Sequence, residues 1–325
     1  MTPEQPVRCK VDMCPSKKNP DKNGVKASVI LMTYQQENLV RESLESLINQ
    51  DYPDLQIVVS DDASTDKTWD VIRQVDREVG ARVRLVLNRN EANLGIIGNY
   101  NRALSLCDGE LIFSAAGDDV SAPNRVRACV EFWHATDEVA DLIATDLFDM
   151  TYDGEVVSVK SIDDLQAWDV DRWIQNRPYH AGASHMVTRR LLSIQPLNVK
   201  AKLEDQCLLF RALLMGGAKR LAQPLVQHRR GGVSNSSINK TYTTKRDNLL
   251  ASAKQSIHEV DQYLSDAEKL GASEEVMTYL QKLHRKSEFI VSCLEAPSFT
   301  QRVESVLMFS DVPFRTRQRL SLIHI

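Results

Sequence analysis

The chain has 325 residues, 42% of them hydrophobic and 26% charged, which fits a soluble globular protein with one large domain or two ordinary ones. Its 40 Lys and Arg against 44 Asp and Glu give a net charge of -4, which excludes the strongly basic field of a nucleic-acid binder. No apolar run approaches the roughly 18 residues of a membrane span, and MTPEQPVRCKVDM carries no signal-peptide core, so a cytoplasmic setting is expected.

Residues 1–25 are polar and read as a loose lead-in. ASVILMTY (27–34) is a continuous apolar run, the mark of a strand covered on both faces. A helix is predicted over 37–49, with Val40, Leu44, Leu47 and Ile48 on one face. DLQIVVS (54–60) gives a second strand and 65–79 a second helix, striped by Trp69, Ile72, Val75 and Val79. A third strand (82–88) and helix (97–107) follow, then a fourth strand, ELIFSAA (110–116), and a helix opened by Pro123. This alternation predicts an α/β fold, a mostly parallel central sheet flanked by helices. The stretch 141–160 reads as a pair of strands, 179–192 as a loop leading into a helix, and 202–218 as a helix. AQPLVQHRRGGVSNSS (222–237) is a strand running into a basic loop, and the pattern is helical from Lys240 on. The 6 cysteines are scattered and are expected to be free thiols; Cys9 and Cys14, spaced C-x4-C, have no second pair to complete a zinc site.

Two acid pairs, Asp61-Asp62 and Asp118-Asp119, stand at the carboxyl ends of predicted strands. Ligands of parallel sheets gather on that rim, so two acid pairs there point to a metal or a phosphate-bearing ligand. A local explanation competes: acids and hydroxyls in VVSDDASTDKT (58–68) also cap helices and make turns.

The stretch SVILMTYQQENLVRESLESLINQDYPDLQIVVSDDASTDKT resembles the opening of family 2 glycosyltransferases, enzymes of the GT-A fold. NEANLGIIGNYNRAL, GELIFSAAGDDVSAPNRV, LEDQCLLFRALLMGG and LVQHRRGGVSNSS resemble that family's next blocks, in order, over about residues 27–237. The resemblance implies a GT-A catalytic domain at 26–238 with a helical C-terminal region at 239–325. It implies a nucleotide site of Thr33, Tyr34, Glu37, Asp61, Asp62, Asn93, Gly95 and Asn101. Asp118 and His228 are the implied ligands of a divalent metal (Mn2+ or Mg2+), and Asp119, Arg229 and Arg230 contact the donor sugar and diphosphate. Asp205 is the implied base and Glu204 its neighbour. Two departures stand out: Ala116 replaces the first Asp of the usual Asp-x-Asp, and His228 stands where an aromatic is commoner.

The implied reaction is metal-dependent, inverting transfer from a nucleotide sugar, UDP- or dTDP-linked, to a glycan or lipid-linked acceptor in surface polysaccharide assembly. A hard cation offsets charge on the leaving diphosphate, guanidinium groups fit its oxygens, and a carboxylate takes the hydroxyl proton. Against this stand a nucleotidyltransferase, which needs a glycine-rich phosphate loop that MTYQQEN lacks, and a non-catalytic nucleotide-sugar binder, favoured by Ala116. Glu204 and Asp205 as dipole-favoured first-turn acids, and His180 and His185 as acceptor-side loop residues, are the bland alternatives. The C-terminal helices pack on the catalytic domain, form a homodimer contact, or offer RQRLSLIHI (317–325) to a membrane surface.

Overall fold

The computed structural model describes residues 24–201, 203–231, 245–309 and 312; Cys9, Cys14 and the 317–325 segment lie outside them. Strands β1 (Ala27–Thr33), β2 (Leu55–Asp61), β3 (Arg84–Arg89) and β4 (Leu111–Ala116) run parallel in the order β3-β2-β1-β4. Alternate residues go to opposite faces, as strand geometry demands. Ile30, Val58 and Ile112 share a core with Ile97 and Tyr100 of α3 (Gly95–Leu104). Val29, Leu31, Ile57 and Val59 face the other way, onto Val40, Leu44 and Leu47 of α1 (Val40–Ile48) and Ile72 and Val75 of α2 (Thr68–Val79). Helix α4 (Arg125–Ala135) joins this second layer through Val126, Cys129, Val130 and Trp133.

Beyond β4 the pairing becomes mixed. After the short β5 (Val120–Ser121), β6 (Leu142–Met150) pairs antiparallel with the exposed β7 (Val156–Lys160), as 141–160 predicts. The segment 179–192 differs from expectation: it contains a strand, β8 (His185–Thr188), inserted antiparallel between β4 and β6. Four residues are too few to show a period. α5 (Val170–Gln175) precedes this strand and α6 (Arg189–Leu192) follows it directly. Helix α7 (Glu204–Met215) leads to β9 (Ala218–Arg229), which starts before the predicted 222 and pairs parallel with β6. Its register shifts beside Pro224, which has no N–H to give a ladder.

The C-terminal helices are α8 (Lys245–Leu270), α9 (Glu274–Glu295) and α10 (Phe299–Met308). Val260, Tyr263 and Ala267 of α8 and Val276 and Leu280 of α9 share a core with Trp173 of α5 and Phe210 of α7. Arg211 of α7 and Asp266 of α8 form a fully buried ion pair at 2.9 Å. Among the described residues, no helix is long and apolar enough to cross a membrane. Cys107, Cys129 and Cys207 are buried free thiols, and Cys293 is buried as well.

Candidate active site

The chain passes from β1 to β2 and β3 on one side, then returns to β4 on the other side of β1. The carboxyl ends of β1 and β4 border the resulting switch point, where sheets of this kind open a crevice. Gly117 sits there, its N–H donated to the Met32 carbonyl at 2.9 Å. A β-carbon on Gly117 would lie 2.3 Å from Gln36 Oε1 and 2.9 Å from Thr33 Cγ2, so any larger residue would displace the Gln36 side chain from this crevice. Asp118 and Asp119 follow directly, both buried. Burial pushes the Asp118 carboxyl up, opposed by its own N–H, His228, Arg229 and Gln36. Burial and then the Asp118 charge push Asp119 up, opposed by the Arg229 N–H and by Arg125. The crevice thus holds two crowded carboxyl groups whose burial the neighbouring His228, Arg229 and Arg125 offset only in part.

Asp61 and Asp62 at the end of β2 are both buried and both occupied. Asp61 accepts from Thr33 Oγ1 (3.2 Å), Ser64 Oγ (2.5 Å) and the Ser64 N–H (3.1 Å). Asp62 accepts the N–H groups of Leu94 (2.8 Å) and Gly95 (2.9 Å) at the start of α3, and Asn90 Nδ2 at 2.8 Å. It is a helix cap supplied from another strand. The loops after β1 and β2 are laced together. Gln35 donates its N–H to Ser64 Oγ (3.0 Å), Gln36 to Thr68 Oγ1 (2.7 Å) and Glu37 to Asp66 Oδ2 (3.1 Å), while Glu37 Oε2 accepts the Lys67 N–H (2.9 Å). This lacing spends residues 37 and 65–66 outside helices, so α1 and α2 start later than the sequence pattern predicts. Gln35 (φ 56°) and Ala63 (φ 59°) both hold left-handed backbone here, a strain that the interlocked loops sustain.

These bonds set an expected result. Asp62→Ala leaves the Leu94 N–H without its acceptor, a loss of roughly 1–3 kcal/mol, and takes one of two acceptors from the Gly95 N–H and from Asn90 Nδ2. The melting temperature should fall together with affinity for a nucleoside diphosphate. Unchanged melting with lost affinity would show that Asp62 is a ligand contact only.

Tyr34 is half-buried between Thr33 and the Gln35 turn, and its N–H donates to Gln36 Oε1 at 3.2 Å. Asn93 is exposed and accepts the Gly95 N–H at 3.0 Å. Asn101 points elsewhere: Nδ2 donates to the Leu197 carbonyl (2.8 Å) and Oδ1 accepts the Leu197 N–H (3.4 Å). The amide at the β2 rim is instead Asn99, bonded to Ser60 and Asn90.

At the end of β9, Arg229 is an internal strut. Its N–H donates to Asp119 Oδ1 (2.9 Å) and Nε to the Asp118 carbonyl (2.9 Å). Its two terminal nitrogens reach the Tyr152 carbonyl (2.5 Å) and Glu42 Oε2 (2.6 Å). A guanidinium so fully used is not an open phosphate clamp in this structure. Arg230 is exposed and paired with Asp149. His228 lies opposite Asp149 in the β6–β9 ladder. Burial pushes its imidazole down, and the Asp118 charge pulls it back up.

Glu204 and Asp205 open α7. Glu204 is buried and Asp205 half-exposed, with Oδ1 accepting the Gln206 N–H at 2.6 Å. Gly182 leans on both: a β-carbon there would meet Glu204 Oε1 at 2.9 Å and Asp205 Cβ at 3.3 Å. Burial, then the Asp205 charge, pushes the Glu204 carboxyl up. A carboxyl raised by folding gives up stability as pH climbs from the ordinary carboxylate range near 4 toward its folded value. Glu204→Gln should therefore raise the melting temperature at pH 8 and leave it nearly unchanged at pH 5. Equal shifts at both pH values would contradict the burial argument.

The sequence pattern misses Arg125, fully buried, with terminal nitrogens bonded to Ser121 Oγ (3.1 Å) and the carbonyls of Ser114 and Ala183 (both 2.8 Å). It faces Asp119 on one side and holds the 182–184 turn against Glu204 on the other. Burial lowers its guanidinium to about 10. The available signal was its place among Val126, Cys129, Val130 and Trp133 on the apolar stripe of α4.

Among the described residues no three His, Cys, Asp or Glu side chains cluster to hold an ion by themselves. Asp118 with Asp119 and His228 alongside nevertheless suits a hard cation that takes one or two carboxylates and completes its shell with water and substrate phosphates. The donor set fits such a cation.

Residues 28–169 match the family described as Glycosyl transferase family 2. An uncharacterized glycosyltransferase of Nostoc sp. is 25% identical over 249 residues, 74% of this chain and 75% of its own length. A GalNAc(5)-diNAcBac-PP-undecaprenol beta-1,3-glucosyltransferase of Campylobacter jejuni is 36% identical over 94 residues, 29% of this chain and 30% of that protein. The crystal structure of S. aureus TarS 1-349 in complex with UDP-GlcNAc superposes with a TM-score of 0.57 at 22% identity, over 90% of this chain and 82% of that one.

Proposed function

We propose that this chain, whose residues 28–169 match glycosyl transferase family 2, is a glycosyltransferase that moves a sugar from a nucleoside-diphosphate donor to an acceptor hydroxyl, with inversion. The donor is a UDP- or dTDP-sugar, and the acceptor a glycan or lipid-linked saccharide of surface polysaccharide assembly. One observation carries this reading: two adjacent buried carboxyl groups stand at the switch point, with His228 beside them and Arg229 held against their backbone and side chains. A divalent cation bound at Asp118 and His228 would offset the charge of the leaving diphosphate.

The protein's own residues do the rest. The laced loops carrying Thr33, Tyr34, Glu37, Asp61 and Asp62 frame the nucleoside, with Asn93 and Gly95 at the exposed start of α3. Asn101, bonded to Leu197, stays outside that frame. Arg229 fixes Asp118 and Asp119 in place, which leaves Arg230, once released from Asp149, as the cation for the diphosphate. Asp119 faces the donor sugar. Asp205 takes the acceptor proton as the hydroxyl oxygen attacks the anomeric carbon and the bond to the diphosphate oxygen breaks. Buried Glu204 holds its own proton more tightly and orients the acceptor.

The test is a thermal-shift screen of nucleotide sugars with manganese or magnesium, followed by a transfer assay on each stabilising donor. No stabilisation by any nucleotide sugar would sink the reading. The second reading, nucleotide-sugar binding without catalysis, is favoured by Ala116 at the end of β4. Binding with neither transfer nor hydrolysis would select it.

A further inference from the structure

The segment 178–185 wraps the first turn of α7. Gln206, next to Asp205, is its anchor: Oε1 accepts from Trp173 Nε1 (3.4 Å), and Nε2 reaches the Pro178 carbonyl (3.2 Å) and His180 Nδ1 (3.4 Å). His180 Nδ1 thus faces the Gln206 amide, with the backbone of Asp205 and Pro178 beside the ring, while Nε2 is buried and has no hydrogen-bond partner. The ring is 5% exposed and stacks on His185 at 6.4 Å between centroids. His185 Nε2 in turn meets Ser114 Oγ at 2.8 Å, while His185 Nδ1 and the Tyr100 hydroxyl are buried without partners. Asp205 is the charge acting most strongly on His180, and Glu204 is the one acting most strongly on Tyr100. Buried His180, His185, Ser114 and Tyr100 are therefore grouped behind the acid pair, with Asp205 and Glu204 as the charges nearest in effect. Unpartnered buried polar groups are costly, and their grouping behind one helical turn indicates a purpose beyond packing.

We infer that His180 is a positioning residue for Asp205, fixing the first turn of α7 through Gln206 so that the carboxylate meets the acceptor hydroxyl. This rests on the assignment of Asp205 as the base. It predicts an effect on turnover with little on the donor, because the hydrogen bond of His180 goes to Gln206 at the start of α7 and not to the laced loops after β1 and β2. A neutral imidazole bonded at Nδ1 suits the task, since burial disfavours the charged ring.

The test compares His180→Leu, His180→Asn, Asp205→Asn and the double variant His180→Leu/Asp205→Asn in the full chain, with UDP affinity and melting measured beside transfer. His180→Leu should lower kcat by at least about tenfold with donor KM and UDP affinity within about twofold. His180→Asn keeps a polar atom near the Nδ1 position and should recover most of the turnover. The double variant should be no slower than Asp205→Asn alone, because the imidazole acts through that carboxylate. Full turnover in His180→Leu, or a further tenfold loss in the double variant, overturns the proposal. Should His180→Leu not fold, His180→Asn and His180→Gln decide: Asn must exceed Gln by about fivefold, and equal rates overturn it. Full activity of Asp205→Asn is a separate result, which removes the base assignment itself.

Discussion

Asp205→Asn should lower turnover by roughly 10²–10⁴-fold, the usual contribution of a general base. The amide is nearly isosteric, and its oxygen still accepts the Gln206 N–H, so the start of α7 keeps its form. What it loses is the ability to take a proton. Affinity for the nucleoside diphosphate should stay within about twofold, since the hydrogen bonds of the laced loops and of Arg229 do not involve this residue. Glu204→Gln should be milder. Its carboxyl is buried and held up by the neighbouring Asp205 charge, and an amide can replace a protonated acid as a hydrogen-bonding group. Steady-state transfer assays of the two variants separate the roles. If Glu204→Gln is the dead enzyme and Asp205→Asn the active one, the roles exchange; if both are active, the acids serve only the helix terminus.

Asp118→Asn should remove metal-supported transfer, by roughly 10³-fold or more, while the fold stays intact. A neutral amide holds a hard divalent cation poorly. The Asp118 backbone carbonyl accepts from Arg229 Nε, so changing the side chain leaves that strut in place, and an amide can still meet Gln36. Removing one of two crowded buried carboxyl groups also relieves the repulsion that raises Asp119, so the variant should melt no lower than the parent. Transfer assays with manganese, with magnesium and with a chelator give the measurement. Full activity in the variant, surviving chelation, would end the metal assignment.

The parallel half of the sheet was legible because fully covered strands are continuous apolar runs and their helices carry single apolar stripes. The acid pairs at 61–62 and 118–119 were legible as rim residues because strand ends are visible in sequence. What the residues do there was less visible. That Asp62 caps α3 depends on β2 and the 90–95 segment meeting in space. That Arg229 turns inward depends on Glu42 and Tyr152, far from it in the chain. Strand β8 is too short to show alternation, and its existence follows from the open edges of β4 and β6 on either side. Arg125 stands at a helix start, where charged residues are ordinary, and only its position on a buried stripe distinguishes it.

The ion pair between Arg211 and Asp266 reaches beyond local stability. Both side chains are wholly out of water, and Arg211 also donates to the carbonyls of Leu191 (3.2 Å) and Gln195 (3.0 Å), which belong to the sheet-bearing part of the chain. A buried cation left without its anion costs several kcal/mol, comparable to the whole stability of many domains. The C-terminal helices therefore supply a counterion to the interior of the catalytic half. An exchange of this region for that of a relative succeeds only if the incoming helix carries an acid at the same place, or if Arg211 is replaced with it.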